Sequence, residues 1–207
     1  MGKIINLTIV NESNDSNNSS ICIFQKNVST DFNEIAVAWR VFTDLGQNWS
    51  NDFTYSYDLE VNVSDSYGNK SPTTGVSPGD LWGVSRQGSG DQLQRVGGSV
   101  SNEEVQVRND RAQGAVNVNC IRDGKLLASK TTVAPGQKAV FKFKPSIFIG
   151  VVSQVQEGQI LDSAIISDIN TELSLLGISS AEIVMKGGGP GVSSQPFSFS
   201  LRNVRQG

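Results

Sequence analysis

Histidine is absent from the 207 residues. That single gap excludes Ser-His-Asp and Cys-His nucleophile systems, His-ligated zinc and the two-His-one-carboxylate iron site, all of which need an imidazole. Cysteine is nearly absent too, with two residues, too few for a disulfide framework. Charge is sparse at 18% of residues, and 17 Lys and Arg against 20 Asp and Glu leave a net −3. With a pI near 5.0 the chain has no basic footprint, so no nucleic-acid partner is expected. No apolar run approaches the roughly 18 residues of a membrane-spanning helix, so no transmembrane segment is expected. The opening MGKIINLTIV is broken by Asn6 and Thr8 and lacks the h-region and cleavage site of a signal peptide. The expected location is therefore cytoplasmic as synthesised, with any release following a non-classical route. Residue 6 is Asn where a myristoylation motif wants Ser or Thr, so Gly2 carries no lipid in this reading.

What is abundant is polar and small: 27 Ser, 17 Asn and 21 Gly, beside a hydrophobic fraction of 37%. This profile suits β-structure with many polar turns and sheet faces open to water. Period-two alternation is the dominant signal. From Phe53 to Val63 every odd residue is apolar or aromatic and every even one polar, which reads as one strand of eleven residues with a wet face. The rhythm recurs at Ala139–Lys144 and Phe197–Leu201, and shorter runs include KIINLTIV, SICIFQ, DLWGVS, EEVQVR, AVNVNCI and IFIGVV. Asp123-Gly124 is the signature of a type I′ hairpin, because both central residues must take positive φ. Two stretches resist the β reading. Thr30 to Phe42 places Ile35, Ala38, Trp39 and Phe42 at helical spacing behind an N-cap candidate, and residues 159–177 suit a short helix or two buried strands. The fold expected is all-β, an antiparallel β-sandwich of about ten strands with room for one short helix, in a single domain spanning 1–207.

Few residues suggest chemistry. Gly187-Gly188-Gly189-Pro190-Gly191 lacks the Lys-Ser/Thr and following helix of a phosphate loop and reads as a hairpin connection. Asp58 and Glu60 fall on the polar face of a strand, where nothing would raise a carboxyl pKa for acid–base work. Asn11–Ser20 is dense in oxygen donors but lacks the spacing of an EF-hand loop and reads as a solvated turn. Cys22 and Cys120 sit inside apolar runs and read as buried free thiols. No catalytic residue, metal ligand or cofactor is expected. Trp49, Tyr67 and Trp82 fall beside turns or strand ends, where an aromatic ring can meet a sugar or a lipid headgroup, and they are the candidate ligand-binding residues.

The stretches NLTIVNES, ICIFQ and AVAW near the start, and KPSIFIGVVSQVQEGQILDSAII near the end, resemble the RhiA family, first recognised in rhizobia as rhizosphere-expressed products. The resemblance implies an abundant product of plant-associated bacteria, regulated by population density, with no agreed biochemical activity. An extradiol ring-opening dioxygenase, a label given to some similar proteins, would need the His ligands this chain lacks. The middle of the chain, around Phe53–Val63 and the Gly-rich stretch after it, departs from the family pattern. The function expected is that of a non-enzymatic structural or interaction protein. It would associate with copies of itself, as a homo-oligomer or filament, through sheet edges, with KIINLTIV and FSFSLRNV as the outer strands. The alternative is a lectin-like or membrane-active module that binds glycan or lipid surfaces of host or competitor cells.

Overall fold

The computed structural model describes residues 3–29, 35–169 and 171–207. Its strands in chain order are β1 (Ile4–Asn11), β2 (Ser20–Phe24), β3 (Ile35–Ala36), β4 (Arg40–Phe42), β5 (Ser50–Ser56), β6 (Leu59–Ser64), β7 (Thr74–Val76), β8 (Asp80–Gln87) and β9 (Gly90–Gly98). They continue with β10 (Val105–Asn109), β11 (Val116–Arg122), β12 (Lys125–Val133), β13 (Lys138–Phe141), β14 (Ser146–Val152), β15 (Thr171–Ser174), β16 (Ile178–Gly188) and β17 (Gln195–Gln206). One short helix, α1 (Ser163–Asp168), precedes β15. The protein is mostly β, as expected, but its strands are shorter, more numerous and grouped in four small sheets. Two- to four-residue strands such as β3, β4, β7 and β15 are too brief to show an alternation.

The chain divides into two compact units. The first takes Met1–Lys26, Ala36–Tyr57 and Pro145–Gly207, and holds sheets ordered β17-β16-β1-β5 and β15-β14-β2-β4. Here Ile5, Leu7 and Ile9 of β1, alternating with exposed or half-exposed neighbours, enter a core with Ile21, Phe24, Ile147, Ile149 and Ile183. Trp39 is fully buried, edge-on to Tyr55 at 5.9 Å and Phe53 at 6.4 Å between ring centroids. The second unit takes Asn27–Ile35 and Asp58–Lys144, with sheets ordered β13-β10-β8-β9 and β3-β12-β11-β6-β7. Val61, Val63, Val105, Val107, Val118 and Leu127 supply its core. Antiparallel pairing dominates; β1 with β16 and β8 with β10 are parallel.

Two expectations are corrected. The helical spacing over Thr30–Phe42 falls partly on residues 30–34, outside the described residues; Ile35–Ala36 and Arg40–Phe42 are strands joined by an irregular link, not helix. Backbone groups here bond sideways rather than four residues back: Ala38 N–H donates to Gln159 O, Trp39 N–H to Ile23 O, and Ala36 O accepts from Leu161 N–H. Once these neighbours satisfy the backbone, a helix has nothing to add. The eleven-residue alternation Phe53–Val63 is also two strands, β5 and β6, separated at Tyr57-Asp58 and belonging to different units. Alternation reports which face is wet, and it persists unchanged when the chain leaves one sheet for another.

Other readings hold in detail. Asp123 (φ 51°) and Gly124 (φ 72°) turn the β11–β12 hairpin with positive φ at both central residues. Within 159–177, α1 is capped by Asp162, whose side chain accepts from Ile165 N–H at 2.8 Å, and β15 follows. No helix among the described residues is long and apolar enough to cross a membrane.

Candidate functional site

The three aromatics singled out in the sequence are not brought together as one site. Trp49 precedes β5 in the first unit, 67% exposed, with its ring against Gly46 and its main chain tied to Gly46 and Asn11. Trp82 lies in β8 of the second unit, half-buried, opposite Arg95 of β9. Beside it, burial pushes the Asp80 carboxyl up, but the bonds from Arg95 and from Ser77 N–H outweigh burial and hold it below its ordinary value. Tyr67, on the turn from β6 to β7, is 89% exposed and does line a cleft.

That cleft has a volume of about 430 Å³ and gathers residues from five separated segments. Asp65 and Tyr67 come from the β6–β7 turn, Arg86 and Asp91 from the facing ends of β8 and β9, Arg111 from the loop before β11, Asn117 from β11 and Thr132 from β12. A second hollow of about 390 Å³ adjoins it and shares Ser64, Asp65, Arg86 and Asp91.

Each wall is fixed by identifiable contacts. The Asp65 carboxylate accepts from Tyr67 N–H and Asn69 N–H at 2.9 Å and from the Asn69 amide at 2.8 Å, forming an Asx turn that presents the Tyr67 ring. The Asn69 side-chain bond, aided by these backbone donors, holds the Asp65 carboxyl below its ordinary value. Arg111 Nη1 donates to Asp91 Oδ2 at 3.3 Å, with both side chains largely covered. Arg86 approaches Asp91 Oδ1 at 3.8 Å and donates to Ser89 O at 3.1 Å, with its side chain 56% exposed. Thr132 has φ 57°, a conformation that costs a β-branched residue about 1–3 kcal/mol. It is held by its N–H donating to Asn117 Oδ1 at 3.0 Å, at a register shift between β11 and β12. Chemically, the cleft offers paired charges, fixed donors and acceptors, and one bare ring. Nothing in the sequence pointed to it beyond Tyr67, because its charged members are scattered from Asp65 to Arg111.

A wider groove of about 510 Å³ crosses the face of β1, β16 and β17 near Asn6, Ser180 and Asn203. No aromatic residue lines it, and its Glu182 is already bonded to Arg202 at 2.8 Å.

KIINLTIV is not an outer strand: β1 is paired on both sides, with β16 and β5. FSFSLRNV does stand at an edge, within β17. A parallel partner supplied from the far end of the chain covers β1, and no local pattern announces it.

The remaining candidates are structural. In the oxygen-rich loop, Asp15 accepts from Asn17 N–H and Ser19 N–H, and Asn11 from Ser13, so these donors serve turns. Burial pushes Asp15 up, yet the backbone bonds from Ser19 and Asn17 prevail and keep its carboxyl low. Gly187 (φ 96°) lies where a Cβ would run into Pro196 O, so this glycine is what lets β16 and β17 approach. Cys22 and Cys120 are free and buried, and burial pushes both thiols up to about 12.

A family model for RhiA matches residues 2–176. The chain belongs to the RhiA family. Comparisons with curated proteins and with solved structures return no match. The cleft lies wholly inside the RhiA match, whereas β16 and β17 lie beyond it.

Proposed function

We propose that this RhiA-family protein is a non-enzymatic interaction protein that pairs with copies of itself through the edge of β17. The observation that carries the reading is that β17, twelve residues long and mostly exposed, ends its sheet with β16 as its only strand partner among the described residues. Ser198–Arg202 runs in unbroken register with Lys186–Glu182, exposing Ser198, Ser200 and Arg202. Pro196 and the register shifts around Lys186–Gly188 and Ser180–Glu182 guard the two ends, with Asn203 at φ 52°. Such devices shorten an edge and favour one defined pairing over open-ended addition. A second β17, added antiparallel, gives an isologous two-fold interface. The same reading takes the two sheets of the first unit as layers of a β-sandwich, supported by β14 and β15 lying against β17.

Light scattering across a dilution series tests the reading. The expected result is a mass above the 22.2 kDa protomer, returning to it in Ser200→Lys, which sets like charges across the added pair. A 22.2 kDa species at every concentration overturns it.

The Tyr67 cleft favours a second reading, a module that binds a ligand on a glycan or lipid surface. An exposed ring beside convergent polar groups is what such recognition uses.

A further inference from the structure

We infer that the Tyr67 cleft takes a neutral saccharide, an inference that rests on the second reading above and gives its ligand a chemical class. Charge decides the class. The cleft carries two guanidinium groups, Arg86 and Arg111, and two carboxylates, Asp65 and Asp91, so its formal charges cancel. Asp91 lies against both guanidinium groups, at 3.8 Å and 3.3 Å. A charged ligand would meet as many like charges as opposite ones. A neutral polyol meets only donors and acceptors, and its vicinal hydroxyls, each both donor and acceptor, match a guanidinium fork beside a carboxylate.

The ring supplies the other half of the recognition. Tyr67 is 89% exposed, and its main-chain N–H is pinned to Asp65, so the ring is presented without being packed. The C–H face of a pyranose covers such a ring while its hydroxyls reach the polar wall. Arg86 is the adjustable member, since its side chain is 56% exposed and its approach to Asp91 is long. A volume of about 430 Å³ falls within the range of small-ligand sites, and the adjoining hollow of about 390 Å³ offers room for a second ring. The strained Thr132 on the same wall is the kind of local cost that concentrates at binding sites.

The test is calorimetric and saturation-transfer NMR titration of the full chain. The probes are the methyl glycosides of glucose, mannose and galactose, with maltose and cellobiose, and with galacturonate and inorganic phosphate as anions. At least one neutral sugar should bind, and Tyr67→Ala and Arg86→Gln should each weaken it about tenfold while leaving the thermal midpoint in place. Galacturonate or phosphate binding better than every neutral sugar overturns the assignment of a neutral ligand and leaves cleft binding standing. Sugar binding that survives both variants but falls with Trp49→Ala overturns the site. No binding by any probe at about 10 mM overturns the inference, and failure of liposomes as well removes the second reading with it.

Discussion

Arg111 holds Asp91 from the inner side of the cleft, Nη1 to Oδ2 at 3.3 Å, with 15% and 17% of the two side chains exposed. The contact joins the loop before β11 to the start of β9. Arg111→Met should therefore leave a covered carboxylate short of its donor and cost about 1–3 kcal/mol in urea unfolding. Asp91→Asn, which keeps an acceptor, should cost less. Equal stability of wild type and Arg111→Met would show that the pair positions groups without holding the fold.

The glycine run between β16 and β17 separates two kinds of glycine. Gly187→Ala drives a methyl into Pro196 O as well as into a positive-φ backbone, whereas Gly191, at φ 61°, has open space around it. Gly191→Ala should cost about 1–2 kcal/mol from backbone strain alone, and Gly187→Ala distinctly more. Comparable denaturation midpoints for the two variants would contradict this.

With thiols raised to about 12, Cys22 and Cys120 are almost wholly protonated at pH 8 and should resist iodoacetamide in the folded protein. Unfolding in urea should expose both, so mass spectrometry should read no adduct natively and two after denaturation. The ordinary thiol value is 9.0, so the unfolded chain loses these protons first as pH rises. Their contribution to stability is intact below about pH 9 and declines above it, towards 12.

Acid acts through carboxylates of the opposite kind. Asp15, Asp80 and Glu182 all titrate below their ordinary values of 3.8, 3.8 and 4.5 in the fold. For Glu182 the causes are bonds from Asn203 and Arg202. Their stabilisation is present above those ordinary values and is lost as pH falls through the folded ones. Urea midpoints should hold from pH 7 to about 5 and drop below about pH 4, with a smaller drop in Asp15→Asn.

Trp39→Ala should be among the most damaging substitutions, about 3–5 kcal/mol, because Tyr55 and Phe53 close around a ring with no exposure. A loss under about 1 kcal/mol would mean that the core refills the space.

Much of the fold is legible in the sequence. The Asp123-Gly124 hairpin is, because two residues with a strict backbone requirement sit between two apolar runs. Burial of both thiols is, because their neighbours are apolar. The break at Tyr57-Asp58 is not, since alternation is identical on both sides of it. The extended path at Ala36–Ala38 is hidden for a different reason: the backbone partners of Ala36 and Ala38, Leu161 and Gln159, are more than a hundred residues away. The cleft is illegible except at Tyr67, because Asp65, Arg86, Asp91 and Arg111 come from separated strands and loops that meet only in the fold.

The parallel pairing of β1 with β16 sets a timetable for the nascent chain. Asn6 is partnered by Ser180 and Asn11 by Met185, so one side of β1 has no companion until most of the protein has left the ribosome. At roughly 5–20 residues per second that interval is on the order of 10–30 s. Throughout it, Ile5, Leu7 and Ile9 belong to a strand with one bare edge, while residues 58–144 can already close their own sheets. A segment made well before its partner is thus among the last to be finished, and it is where a holding chaperone would be needed most.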